Sequence, residues 1–146
     1  MITKCDHIGI QVEDLDRSIA FYAGALGFEL RERFIKSEPY LQELVGCPGA
    51  ELDIAIMGIP STEVELEILE YRRVARRAVD PNTANPGTGH FCLFVTDLDE
   101  IVERAHEFGG GSVSPVQTST AGPVAGSRLV YLTDPDGIRV ELVERH

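Results

Sequence analysis

Asp6-His7-Ile8-Gly9-Ile10-Gln11-Val12-Glu13-Asp14-Leu15-Asp16 and Gly89-His90-Phe91-Cys92-Leu93-Phe94-Val95-Thr96-Asp97-Leu98-Asp99 repeat one pattern within a single chain. Aligned, they match a histidine, an apolar alternation and a closing Asp-Leu-Asp. Each copy then reaches a glycine at the same offset, Gly27 and Gly110. A module that carries a histidine each time it recurs predicts two equivalent ligands related by a pseudo-twofold.

Outward from these stretches the periodicity builds a βαβββ module twice. Ile8, Ile10 and Val12 alternate with His7, Gly9 and Gln11, which predicts a strand over 5–12. Asp14 is placed to cap a helix over 15–26 whose stripe is Leu15, Ile19, Tyr22 and Leu26, with Gly27 as its C-terminal stop. Strands are predicted at 28–35, 52–57 and 64–68, with a loop or short helix at 39–45. Arg72 to Val79 reads as a basic, helical bridge, and Asp80-Pro81-Asn82-Thr83-Ala84-Asn85-Pro86-Gly87 as a linker. The pattern then restarts with a strand over 88–95. Asp97 and Glu100 have the spacing of a capping box before a helix striped by Leu98, Val102 and Ala105. Strands near 112–116, 128–132 and 138–143 follow, the last two joined as a hairpin by Asp134-Pro135-Asp136-Gly137; residues 118–126 read as a loop free to move over a ligand. The expected architecture is therefore α+β, two tandem βαβββ modules forming a curved mixed sheet around a cleft. It occupies one domain over 1–146: module 1 at about 1–71, linker at about 72–87, module 2 at about 88–146.

Composition narrows the function classes. The 146 residues carry 13 basic and 24 acidic side chains, a formal charge of -11, which disfavours nucleic acid and anionic membranes as partners. Cys5, Cys47 and Cys92 are odd in number and form no Cys-x-x-Cys pair, so a disulfide framework or structural zinc site is not expected. No secretory h-region follows Met1-Ile2-Thr3-Lys4, and no apolar run approaches a membrane span. The expectation is a cytoplasmic protein.

Strand parity selects the residues that carry chemistry. If the apolar set of each first strand faces the helix, His7 and His90 point to the opposite face. The last strand of each module repeats this logic for a carboxylate: Glu67 lies between Leu66 and Ile68, and Glu141 between Val140 and Leu142. A carboxylate on a half-buried strand is costly unless paired or bound to a cation, and two imidazoles with two carboxylates around one divalent ion satisfy all four groups. Glu65 shares the parity of Glu67. Glu67 is preferred because Leu66-Glu67-Ile68-Leu69-Glu70 aligns with Val140-Glu141-Leu142-Val143-Glu144. Arg72, Arg73, Arg76 and Arg77 read either as charge balance or as a greeting for an anionic substrate tail; Tyr40, Arg128 and Tyr131 read as packing or as lining of the cleft.

The same residues carry a family resemblance. Asp6-His7-Ile8-Gly9-Ile10, Asp14-Leu15-Asp16-Arg17-Ser18-Ile19-Ala20-Phe21-Tyr22, Leu26-Gly27-Phe28, Gly89-His90 and Asp134-Pro135-Asp136-Gly137 leading into Val140-Glu141-Leu142 resemble the vicinal oxygen chelate superfamily, which includes glyoxalase I, methylmalonyl-CoA epimerase, bleomycin-resistance proteins and extradiol dioxygenases. The resemblance covers nearly the whole chain. It implies metal ligands at His7, Glu67, His90 and Glu141, and a homodimer, with each site built within one chain or across two. A His, Glu, His, Glu set resembles glyoxalase I. The epimerase instead has Gln at the position of Glu67 and a further Glu that falls here near Gly49, with Glu51 close by. Glyoxalase I has in turn an arginine where Gln11 stands and an asparagine where Glu70-Tyr71-Arg72 stands, which bears on glutathione as substrate.

The function so implied is a divalent-metal-dependent isomerase or lyase acting on a small molecule. It would abstract a proton next to a carbonyl, with Glu141 as the first candidate base and Glu67 as the second. The ligand types do not choose among zinc, nickel, cobalt, manganese, iron and magnesium. The alternatives are a non-catalytic drug-binding resistance protein of the same fold and a ring-cleaving dioxygenase, which uses two histidines and a single carboxylate.

Overall fold

A computed structural model describes residues 1–145, which fold as two compact units. One comprises residues 1–23 and 27–78; the other comprises 24–26 and the chain from Val79 onward. The first runs β1 (His7–Gln11), α1 (Leu15–Leu26, its last three residues grouping with the second unit), β2 (Glu29–Lys36), α2 (Pro39–Leu44), β3 (Glu51–Gly58) and β4 (Glu65–Arg72). The second runs β5 (His90–Val95), α3 (Leu98–Glu107), β6 (Gly111–Ser112), β7 (Gln117–Thr118), β8 (Arg128–Thr133) and β9 (Arg139–Glu144). The α+β class and the paired modules are as expected, and each module forms a mixed sheet of its own. The first sheet has the order β1-β4-β3-β2; the second has β5-β9-β8-β6, with β7 also paired to β8. Among the described residues, no helix is long and apolar enough to cross a membrane.

In both sheets the first strand of the module lies parallel to the last, β1 beside β4 and β5 beside β9, while the remaining pairs are antiparallel. Parity follows the sequence. Leu66 and Ile68 in β4 and Val140 and Leu142 in β9 are fully buried, and each contributes about 1.5–3 kcal/mol by leaving water. The glutamates between them are therefore held on the other face.

The helices start by two devices. Asp14 is extended and its carboxylate accepts from the Arg17 N–H at 2.9 Å, as its position predicts. Gly27, at φ 71°, closes α1 in the left-handed region, where its N–H and that of Phe28 bond back to Ala23 and Tyr22. The expected capping box at Asp97 does not form. Asp97 is itself left-handed (φ 58°, ψ 48°), which turns its side chain away from the helix amides. Glu144 supplies the acceptor instead, taking the Leu98 N–H at 2.9 Å, just as Glu70 takes the Leu15 N–H at 3.1 Å in the first unit. The last strand of each module thus caps its own helix.

Two further expectations are corrected. The stretch after Arg72 is not helical: Arg73 has a positive φ of 62°, and Arg72, Arg73 and Arg76 are held by the fold. Arg72 reaches Asp53 and Glu70, Arg73 reaches Glu51, and Arg76 reaches the carbonyls of Val12 and Glu13. The strand expected at 112–116 is only Gly111–Ser112, because Pro115 lacks the N–H a ladder needs; pairing with β8 resumes at Gln117.

On the face of the first sheet that carries Glu67, Leu41 of α2 covers Ala50, Leu52, Ile54 and Leu69, with Phe34, Cys47, Ile56 and Tyr71 packed around them. On the opposite face Asp53, only 2% exposed, receives Arg33 at 2.9 and 3.2 Å and Arg72 at 2.7 Å; Arg33 also binds Asp16 in the first turn of α1. The Arg33 hydrogen bonds hold the Asp53 carboxyl below the usual carboxylate range against the opposing push of burial. A depressed folded value stabilises above the unfolded value, about 3.9, and that stabilisation is lost as pH falls through the folded value. Asp53→Asn is accordingly expected to lower unfolding stability by about 1–3 kcal/mol near neutrality. Denaturant titrations at decreasing pH should show the gap to wild type shrinking below pH about 4; a gap that persists unchanged into acid would contradict this account.

Candidate functional site

Each unit carries one histidine and one glutamate in contact. In the first, β1 and β4 run in a register that sets Gly9 beside Glu67 and His7 beside Glu65, so the three polar side chains share a face. His7 Nε2 lies 3.4 Å from Glu67 Oε2. In the second, the register sets Cys92 beside Glu141 and His90 beside Arg139, and His90 Nε2 lies 3.3 Å from Glu141 Oε2. Exposure matches as well: the histidine side chains are 43% and 44% exposed and the glutamates 22% and 18%. The sequence-predicted residues are therefore brought together as two like pairs.

Register also separates Glu67 from Glu65. The Glu65 carboxylate is held by Arg31 Nη1 at 2.6 Å. Arg31 sits at an irregularity in the pairing of β2 with β3, and its guanidinium lies over Gly58, where any Cβ would collide with its Nε. Two other candidates lie elsewhere: Arg128 is bound by Asp99 and Glu144 near the start of α3, and Tyr40 is an exposed residue of α2.

Three neighbours extend the pairs. Asp6 Oδ2 lies 3.1 Å from His7 Nδ1. In the tautomer that donates this N–H to Asp6, Nε2 presents its lone pair to the Glu67 oxygen, and two acceptors face each other with no proton between them. Tyr131 places its hydroxyl 3.2 Å from His90 Nε2 and 3.4 Å from Glu141 Oε2, with its ring edge-on to the imidazole at 5.0 Å. Cys92 stands beside Glu141 on β5. The hairpin already contained the signal for Tyr131, since counting outward from Asp134–Gly137 pairs Thr133 with Arg139 and Tyr131 with Glu141.

The acidic residues set the local field. Desolvation, then the charge and hydrogen bond of Glu141, push the Tyr131 phenol and the Cys92 thiol up from their ordinary values. Tyr71 is raised by desolvation, then by Cys47 and Glu67.

The donor chemistry fits a divalent cation. Imidazole and carboxylate ligands at about 2.0–2.2 Å from one ion, at right angles, stand about 3 Å apart, close to the spacing of both pairs. Asp6 behind His7 is the kind of carboxylate that orients a ligating imidazole. Among the described residues, no group of three or more His, Cys, Asp or Glu side chains is gathered in a metal-holding geometry, so the recognisable unit is the pair.

Comparison with known proteins bears on the family and the fold. A family model described as Glyoxalase/Bleomycin resistance protein/Dioxygenase superfamily matches residues 4–142. The chain is 30% identical over 142 residues to a 2-epi-5-epi-valiolone epimerase from an Actinomyces species, covering 94% of this chain and 76% of that one. It is 33% identical over 141 residues to a lactoylglutathione lyase from Salmonella typhimurium, covering 94% and 90%. Lactoylglutathione lyases of Arabidopsis thaliana are longer, and the chain spans 35% and 43% of two of them. A crystal structure of a glyoxalase family protein from Bacillus cereus aligns over 99% of this chain and 95% of its own, with a TM-score of 0.82 at 24% identity, a likeness of fold.

The raised Cys92 thiol gives a direct check on the second pair. Thiolate is the reactive form, so removing the neighbouring negative charge increases its population at a given pH. In chelator-treated protein near neutral pH, Glu141→Gln is expected to speed alkylation of Cys92 several-fold over wild type, as read by peptide mass spectrometry. A rate equal to that of wild type would place Cys92 outside the field of Glu141.

Proposed function

The chain belongs to the Glyoxalase/Bleomycin resistance protein/Dioxygenase superfamily, and we propose that it is a divalent-metal-dependent lyase or isomerase of small carbonyl compounds. The observation that carries this reading is the recurrence of one contact, His Nε2 to Glu Oε2 at 3.4 and 3.3 Å, at corresponding strand positions of the two units. Relatives named lactoylglutathione lyase and epimerase support the reaction class. His7 and Glu67 supply two ligands and His90 and Glu141 two more, within one chain or shared between two copies of a homodimer.

A divalent cation held by these residues would polarise a substrate carbonyl and acidify the neighbouring C–H. The chain's own groups do the rest. One of Glu141 and Glu67 accepts the proton from that carbon; in an isomerisation the same carboxyl returns it to the adjacent carbon, and in an epimerisation the other glutamate, in its protonated form, delivers a proton to the opposite face of the same carbon. The reaction consumes no other reagent, because one proton is gained for each proton lost and the two glutamates can exchange theirs with solvent. Asp6 stands behind His7 at Nδ1, and in the tautomer that donates this N–H the Nε2 lone pair is free for the cation.

The test begins with metal analysis of the purified protein. Assays would follow on glutathione hemithioacetals, acyl-CoA epimers and 2-epi-5-epi-valiolone, after reconstitution with zinc, nickel, cobalt, manganese, iron or magnesium. Turnover of one of these by the metal-loaded protein is expected, and His7→Ala and His90→Ala should each weaken metal retention. Replacing the working base, as Glu141→Gln or Glu67→Gln, should lower kcat by about 10²–10⁴-fold. A wild-type protein that takes up none of the six metals would refute the reading, and tight drug binding in that state would point to sequestration.

A further inference from the structure

The two His–Glu pairs match in residue type, distance and exposure, yet they are set in unlike surroundings. Tyr131 stands across from Glu141 on β8, whereas Ile56 stands across from Glu67 on β3. Cys92 is the β5 neighbour of Glu141, whereas Gly9 is the β1 neighbour of Glu67. The Tyr131 hydroxyl is within reach of both members of its pair, at 3.2 Å from His90 Nε2 and 3.4 Å from Glu141 Oε2. In the first pair the support comes from behind the imidazole, through Asp6 at Nδ1, and among the described residues no hydroxyl or amide donates to Glu67. One half orients its histidine; the other orients its glutamate as well.

We propose that Tyr131 is a positioning residue which makes the second half-site the preorganised one, holding Glu141 and His90 in place for the cation. The inference rests on the metal reading above. A phenol bears a single proton, and the paired side chains offer it two acceptors. When His90 commits its Nε2 lone pair elsewhere, the only acceptor left is the Glu141 carboxylate, and the hydroxyl donates there. Held that way, Glu141 keeps one rotamer and need not be ordered when the ion arrives. Outer partners of this kind typically change metal affinity by about 10–100-fold. Ile56 has no proton to offer, so the first half-site has no such restraint on Glu67.

Tyr131→Phe keeps the ring and its edge-on contact with His90 and removes only the hydroxyl. Cobalt and zinc affinities, measured by competition with a chelator, should weaken about 10–100-fold in this variant and stay near wild type in Ile56→Val. Cobalt binding should also perturb tyrosine absorption in wild type and lose that perturbation in Tyr131→Phe, a signature that loss of packing alone would not produce. Unchanged affinity together with an unchanged tyrosine signal would overturn the inference while leaving the metal reading intact. If the wild-type protein binds neither ion, the metal reading fails only if the other four metals are refused as well, and the positioning role is decided on the metal-free protein. There Tyr131→Phe should shift the ring-nitrogen NMR resonances of His90 and leave those of His7 in place, and an unmoved His90 would refute it.

Discussion

Parallel pairing of the first strand of each module with its last is the constraint on which the site depends. Hairpin neighbours find each other locally, but β1 meets β4 only after α1, β2 and β3 have been laid down, and β5 meets β9 in the same way. The register is the same in both units: the residue two positions after the histidine lies beside the glutamate, Gly9 with Glu67 and Cys92 with Glu141. A slip of one residue would turn either glutamate into the apolar layer that Leu66, Ile68, Val140 and Leu142 occupy. Burying an unpaired carboxylate there costs several kcal/mol at least, on the order of the whole marginal stability of a small unit. Core burial therefore enforces the placement of the polar groups.

One short segment works on both faces of its sheet. In Leu66-Glu67-Ile68-Leu69-Glu70 the first glutamate meets His7 and the second accepts the N–H that opens α1. Val140-Glu141-Leu142-Val143-Glu144 repeats this with His90 and α3. Three residues apart in a strand means opposite faces, so the two carboxylates do not compete for one position. A negative charge at a helix N-terminus is itself favourable. Arginines complete the tie by reaching an aspartate in the first turn of each helix, Arg33 with Asp16 and Arg128 with Asp99. The helix anchor and the site carboxylate are thus carried by the same strand, and one cannot shift without the other.

The two modules share the pairs but set them in different surroundings. Asp6 precedes His7, but Gly89 precedes His90, so among the described residues only the first imidazole has a carboxylate behind it. Tyr131 and Cys92 crowd Glu141, while Ile56 and Gly9 leave Glu67 beside an apolar wall that continues into Leu69, Ile54 and Leu41. Arg31, Arg33, Arg72, Arg73 and Arg128 hold Glu65, Asp16, Asp53, Glu70, Glu51, Asp99 and Glu144 in internal ties of this kind.

The sequence by itself determined the module and its parity, because strand and helix periods are local: α1 falls on 15–26 as its stripe and caps predict, and His7, Glu67, His90 and Glu141 all lie opposite the apolar residues that flank them. It did not determine which partner each polar group meets. Asp97 has the spacing of a cap, but its backbone turns left-handed and the distant Glu144 takes the helix amide. Glu65 and Glu67 share a parity, and only the bulge that swings Arg31 over Gly58 neutralises the first and leaves the second to His7. Strand period assigns a face; tertiary structure assigns the neighbour, because register between segments far apart in the chain is settled by the packing of the whole sheet.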